Sequence, residues 1–227
     1  MKCCIKEGET EEASEIAKLS GRRLKISELD QLVKANLTKD FVSPHEVYKA
    51  FKLGASDEAK RSFLEFCKKT SIIDLADAAK KAKKCLSVSD LNSCVRIITK
   101  KHIENLYKDA LDIIKLGASE NNYNLLIMAC VKKGMIDETF KIASIAKRKL
   151  TTSEIDKLIL KNLDNINATK KLLELAKLGA SSEVKGRLLK VFLEQSYAID
   201  ETIELLKLIG RYMTVDEAKA WTKTFTE

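Results

Sequence analysis

Lys52-Leu53-Gly54-Ala55-Ser56, KLGAS, returns unchanged at Lys115 to Ser119 and at Lys177 to Ser181, and what repeats with it decides the fold. The three glycines, Gly54, Gly117 and Gly179, stand 63 and 62 positions apart. A second phrase keeps the same step: SGRRLKISELD (20–30), AKKCLSVSDLN (82–92), AKRKLTTSEID (146–156) and, more loosely, IGRYMTVDEAK (209–219). Leu24, Leu86, Leu150 and Met213 mark it, at intervals of 62, 64 and 63. The two phrases interleave, so the sequence predicts a tandem period of about 62 residues made of two alternating units of about 31.

Each phrase reads as one helix stopping and another starting. Gly54 suits the left-handed position just past a helix C-terminus, and Ser56 suits an N-cap whose hydroxyl accepts from the next helix. In the second phrase Ser87 with Asp90, Thr151 with Glu154 and Thr214 with Glu217 have capping-box spacing, with Asp an imperfect substitute for Glu. A further break falls between these points: Thr70-Ser71, Lys133-Gly134 and Ser196-Tyr197 in one form, Val42-Ser43-Pro44, Lys101-His102 and Asn165-Ile166 in the other. Every unit is therefore expected to be a helix, a tight turn and a second helix. Apolar residues follow helical spacing, as in Leu172, Leu173, Leu175 and Ala176, and small residues such as Ala78, Ala79, Ala82, Ala143 and Ala146 permit close approach.

A hairpin this small cannot bury its faces alone. The expectation is an all-α chain of about seven hairpins and about fourteen helices, stacked as a right-handed α-solenoid. It forms a single domain over 1–227, with a lead-in over 1–9, stacked hairpins over 10–213 and a capping helix over 214–227. The first helix is read as Thr10 to Leu24 and the last as Asp216 to Phe225, with Trp221 covering the final apolar face.

Composition agrees. One proline and eight glycines among 227 residues are too few for the many turns of a sandwich or barrel. With 33% charged and 45% hydrophobic residues the balance is globular rather than disordered. No apolar run is long enough to span a bilayer, and the N-terminus MKCCIKEGETEE turns acidic where a signal peptide needs an apolar segment. The chain reads as cytoplasmic, with no membrane partner. Cys3, Cys4, Cys67, Cys85, Cys94 and Cys130 form no zinc-spaced pairs, and four of them fall in apolar helical patterns, so they read as free thiols of a reducing compartment.

The segment YNLLIMACVKKGMIDETFKIASIAKRKLT (123–151) resembles the tetratricopeptide and pentatricopeptide repeat families. The likeness lies in its first-helix apolar pattern, the Lys132-Lys133-Gly134 turn, the Ile136-Asp137-Glu138 start of the second helix and the alanines that follow. The resemblance implies a superhelix whose groove binds peptides, as in the first family, or single-stranded RNA, as in the second. The units here are shorter, and the tetratricopeptide aromatic and proline positions are mostly absent, so no residue-level recognition code is carried over.

A periodic charge accompanies the repeat. Two residues before each marker stand Arg22, Lys84, Arg148 and Arg211, and two before each KLGAS glycine stand Lys52, Lys115 and Lys177. Cations in a last helical turn complement the helix dipole, and that alone produces such a ladder. With a net charge of +8, the same ladder could track phosphates. Aromatics are only 6%, and Phe51, Phe63, Phe66, Phe140 and Phe192 occupy core-like positions, which weakens that reading. These seven cations are the candidate binding residues.

No catalytic, metal or cofactor signature is found. His45 and His102 sit at turn or helix-start positions, no Gly-rich phosphate loop, HExxH or GxSxG is present, and paired acids such as Asp137-Glu138 fall at helix starts, where the dipole favours them. The expectation is a non-enzymatic scaffold for a protein or peptide. RNA binding is the alternative, and a self-associating structural segment a third. Asn121, Asn122, Asn124, Ser93 and Lys157 are the first-helix positions expected to be exposed and to separate the first two.

Overall fold

The computed structural model describes residues 1–70, 75–100, 106–194 and 199–223, and is all-helical, with no strand among the described residues. The chain divides into two compact units, Met1–Asn122 and Tyr123–Glu227. The first holds α1 (Lys2–Lys6), α2 (Thr10–Leu19), α3 (Ile26–Leu37), α4 (Pro44–Leu53), α5 (Asp57–Thr70), α6 (Leu75–Ala82), α7 (Val88–Lys100) and α8 (Leu106–Lys115). The second holds α9 (Asn122–Lys133, from its second residue), α10 (Ile136–Ile145), α11 (Thr152–Asn162), α12 (Thr169–Gly179), α13 (Ser182–Glu194), α14 (Ile199–Ile209) and α15 (Val215–Lys223).

Amphipathic spacing explains the helices and their neighbours. In α3 the buried Leu29, Leu32, Val33 and Asn36 fall at i, i+3, i+4 and i+7, one stripe that must be covered. Sequence neighbours cover it by packing as α3 with α4, α5 with α6 and α7 with α8 in the first unit, and as α11 with α12 and α13 with α14 in the second. Alternate helices also touch: α1 with α3, α3 with α5, α2 with α4 and α6 with α8, then α11 with α13, α12 with α14 and α13 with α15. Tyr48, Phe51 and Phe63 meet edge-on or tilted with centroids 5.6 to 6.2 Å apart, tying α4 to α5. Of the five core-like phenylalanines, Phe51, Phe63 and Phe192 are buried, whereas Phe66 and Phe140 are partly exposed.

The KLGAS turns take the expected form twice and vary once. Gly54, Gly117 and Gly179 all have left-handed backbone, at φ 108°, 120° and 129°. Ser56 Oγ accepts from Ala59 N at 3.1 Å and Ser181 Oγ from Val184 N at 3.3 Å. At the middle copy the chain makes a further turn before α9, and Ser119 contributes its carbonyl to Asn122 N instead of its hydroxyl. One recurrent interaction was not anticipated: a side-chain oxygen on the preceding odd-numbered helix accepts from the turn serine's N–H. Asp30 does so for Ser56 at 2.8 Å, Asn92 for Ser119 at 2.8 Å and Asp156 for Ser181 at 2.9 Å.

The second unit restates the first. Gly8 and Gly134, Arg22 and Arg148, Glu28 and Glu154, Asn36 and Asn162 are each 126 positions apart, and α10 spans the residues that α2 spans, moved by that step. The carboxamides of Asn36 and Asn162 donate to the carbonyls of Gly8 and Gly134, locking the same turn in each unit. The expected lead-in over 1–9 contains α1, which corresponds to the C-terminal part of α9. The first long helix stops at Leu19, short of Leu24, because Gly21 turns left-handed at φ 69° and Arg22 N bonds back to Ala17. Fifteen α-helices stand among the described residues where about fourteen were expected. The expectations for Ser71, Lys101, His102, Ser196, Tyr197, Phe225 and the Trp221 side chain lie outside those residues. No described helix is long and apolar enough to cross a membrane.

Two glycines isolate backbone from packing, since an added Cβ would meet nothing within 4 Å at either Gly54 or Gly186. Gly54 has φ 108°, whereas Gly186 lies inside α13. Urea unfolding should show Gly186→Ala stabilised by about 0.5–1 kcal/mol and Gly54→Ala destabilised by about 1 kcal/mol or more. Equal effects at the two sites would refute this reading.

Candidate functional site

The ladder cations do not share one environment. Arg22 forks onto Glu28, with Nη2 2.7 Å from Oε1 and Nη1 2.8 Å from Oε2. Arg148 forks onto Glu154 at 2.7 and 3.0 Å, and Arg211 pairs with Glu217. Each glutamate is also the capping-box carboxylate of the following helix, accepting from the backbone N–H of Lys25, Thr151 or Thr214 at 2.8, 2.8 and 2.9 Å. The arginine at the end of one hairpin therefore holds the first turn of the next. Lys84 and Asp90 hold the equivalent sequence positions, but Asp90 accepts from the Ser87 N–H at 2.9 Å and hydroxyl at 2.7 Å, and Lys84 is exposed.

The second ladder divides likewise. Lys177 bridges Glu174 at 2.9 Å and Glu204 at 2.7 Å, whereas Lys52 and Lys115 are exposed and form no ion pair among the described residues. Other cross-helix pairs join alternate helices: Glu11 with Lys49, Lys80 with Asp112 at 2.8 Å and Asp137 with Lys171 at 2.6 Å. The structure thus gives four of the seven candidate cations an intramolecular carboxylate. Lys52, Lys84 and Lys115 remain open to a ligand.

The forks perturb their carboxylates. The Arg22 hydrogen bonds, with the Lys25 N–H, hold Glu28 down at about 2 from an ordinary 4.5. Glu154 is lowered mainly by Arg148, and Glu217 by the Thr214 N–H and then by Arg211. Burial pushes the Cys94 and Cys130 thiols up to about 11, which makes them inert neutral groups.

Among the described residues, one cluster has metal-ligand chemistry: Glu11, His45 and Glu46 offer atoms within 4.8 Å of one another. Those atoms have other work. Glu46 accepts the Thr10 and Glu11 N–H groups at the start of α2, and Glu11 pairs with Lys49. The cluster caps a helix.

Grooves lie along α14 and its following turn, where Ile203, Leu206, Lys207, Arg211 and Tyr212 line one of about 410 Å³, and between pairs of odd-numbered helices. Between α3 and α5 a groove of about 380 Å³ is mixed in character, with Asp30, Lys34, Leu37, Glu58 and Ser62 on its walls. Between α9 and α11 a larger one of about 520 Å³ is floored by Met128, Val131 and Leu160 and rimmed by Lys132, Lys157 and Lys161. Of the positions expected to face a ligand, Asn121, Asn124 and Lys157 are exposed and Ser93 is partly so. Asn122 is buried, because its carboxamide donates to Asn92 at 2.6 Å and to the Ser119 carbonyl at 3.0 Å, so it is a turn lock rather than a contact residue. Met128 and Leu160 escaped the sequence reading; Leu160 interrupts a polar exposed stripe of α11, whereas Met128 follows the exposed Leu125 on α9. No family model, curated protein or solved structure matches the chain.

Two outcomes follow from the forks. A lowered carboxylate contributes stability that is complete above its ordinary value and is lost as pH falls through its folded value, so the Glu28 contribution should fade from about 4.5 to about 2. The urea midpoint of Glu28→Gln should lie below that of the unaltered chain at neutral pH and converge on it across that window. A constant gap would show that the pair is energetically silent. Installing the missing fork by Lys84→Arg with Asp90→Glu should stabilise the chain by about 1 kcal/mol in denaturant titrations, more than the two single changes combined.

Proposed function

We propose that this chain is a non-catalytic helical-repeat scaffold of the tetratricopeptide or pentatricopeptide type. In this reading about seven hairpins stack as a right-handed α-solenoid, and the surface of the odd-numbered helices binds a protein or peptide in the cytoplasm. The observation that carries the binding reading is the groove between α9 and α11, where apolar side chains lie exposed between lysines on a helix surface. An exposed apolar floor with a charged rim is the composition of a peptide-binding groove.

The ladder supports RNA binding less. Arg22, Arg148, Arg211 and Lys177 already hold carboxylates, and a phosphate would have to displace them. A phosphate track would fall to Lys52, Lys84 and Lys115.

Selection of a phage-displayed random peptide library on the immobilised full chain tests the reading, with anisotropy of mixed-sequence RNA run beside it. Enrichment of related peptides whose binding is saturable and blocked by the free peptide is the expected result. RNA binding that weakens steeply between about 50 and 200 mM salt and is lost in Lys52→Glu, Lys84→Glu, Lys115→Glu would favour the RNA alternative. Reversible self-association without peptide enrichment would favour the structural one.

A further inference from the structure

We infer that the groove between α9 and α11 is a docking site for an acidic amphipathic segment of a partner protein, a helix or short peptide placing an apolar side chain between Met128 and Leu160 and carboxylates on the lysine rim. The inference rests on the scaffold reading and names the class of its partner.

The two units are built alike to the level of single hydrogen bonds: Arg22–Glu28 matches Arg148–Glu154, and Asn36 on the Gly8 carbonyl matches Asn162 on the Gly134 carbonyl. At the same step of 126, Val131 corresponds to Ile5, and both are buried, as the shared core requires. Met128 corresponds to Lys2 and Leu160 to Lys34, and both lysines are exposed. The first unit packs α1 on α3 with charged residues at these places. Folding therefore does not call for Met128 and Leu160, which stand 62% and 39% exposed. An apolar pair kept in water where the fold accepts lysine is a binding feature.

Lys132, Lys157 and Lys161 are exposed, and none has a carboxylate within ion-pairing distance among the described residues. The one acid on the wall, Glu154, is committed through both oxygens, to Arg148 at 2.7 and 3.0 Å and to Thr151 N at 2.8 Å. An apolar floor inside an uncompensated positive rim repels basic segments and steers acidic ones. The volume of about 520 Å³ admits several side-chain atoms, and a flexible methionine adapts to their shape. No aromatic side chain lines the groove, so a nucleic-acid base would find no stacking platform.

The test uses the full chain and a fluorescein-labelled synthetic helix with leucines along one face and glutamates on the flanks, beside a twin in which lysines replace the glutamates. The acidic peptide should bind and the basic twin should not. Met128→Lys with Leu160→Lys installs the residues of the first unit, so the variant should keep its helicity and Tm while binding falls roughly tenfold or more. Lys132→Glu, Lys157→Glu, Lys161→Glu leaves the floor intact and should reverse the preference between the twins. Unchanged binding in the first variant, or unchanged preference in the second, overturns the site. If peptides selected from the random library bind the Met128→Lys, Leu160→Lys variant as well as the parent, the site is wrong and the scaffold reading stands. If neither library nor designed peptides bind, both fall. If the first variant instead abolishes association between copies of the chain while the acidic peptide does not bind, the groove joins like to like and the proposal fails.

Discussion

One glutamate at the start of a helix meets two demands at once. Glu154 accepts the Thr151 N–H in a capping box and both arms of Arg148, which comes from the end of the preceding helix. The capping bond alone would define where α11 begins, leaving its direction to packing. The fork adds a second point of attachment six residues upstream and so fixes how one hairpin follows the next. Arg22 with Glu28 repeats the device, and Arg211 pairs with the capping-box Glu217 at the matching place. Charge-assisted, two-point hydrogen bonds are stronger and more directional than neutral ones, which suits them to a joint.

Around that joint the remaining polar groups act as turn locks. Asp30, Asn92 and Asp156 hold the serine N–H of the following KLGAS turn, and Asn36 and Asn162 hold the carbonyls of Gly8 and Gly134. Each satisfies a backbone group that a helix end leaves without an intrahelical partner. The apolar stripes supply attraction without direction, and these bonds select among the arrangements that burial would tolerate. Met128 and Leu160 take part in none of these bonds and stand exposed. That is why the exposed Met128 and Leu160 differ in meaning from Leu29 or Leu158, which the core consumes.

Much of this was legible in the order of residues because it is local. The period, the helix ends at Gly54, Gly117 and Gly179, and the capping boxes at Ser87, Thr151 and Thr214 all depend on neighbours within a few positions. Locality also explains where reading fell short. The ladder cations form one periodic set in sequence, yet Arg148 forks onto Glu154 while Lys84 is exposed and Asp90 is held by Ser87. Asn122 resembled an exposed polar residue until its long-range bond to Asn92 buried it.

The sequence by itself determined the helical class, the repeated turns and the free, apolar setting of most cysteines, because helix propensity, capping and amphipathic spacing are written in adjacent residues. Only the tertiary structure decided which charges neutralise one another and which apolar side chains stay in water. Apart from the arginine pairs, which join residues six apart, those outcomes depend on distances between residues some thirty positions apart, as between Lys171 and Asp137 or Asn162 and Gly134, which the packing of one helix against another sets. The groove floor of Met128 and Leu160 belongs to that second class: each is an ordinary helical residue in the chain, and only their meeting across α9 and α11 makes a surface.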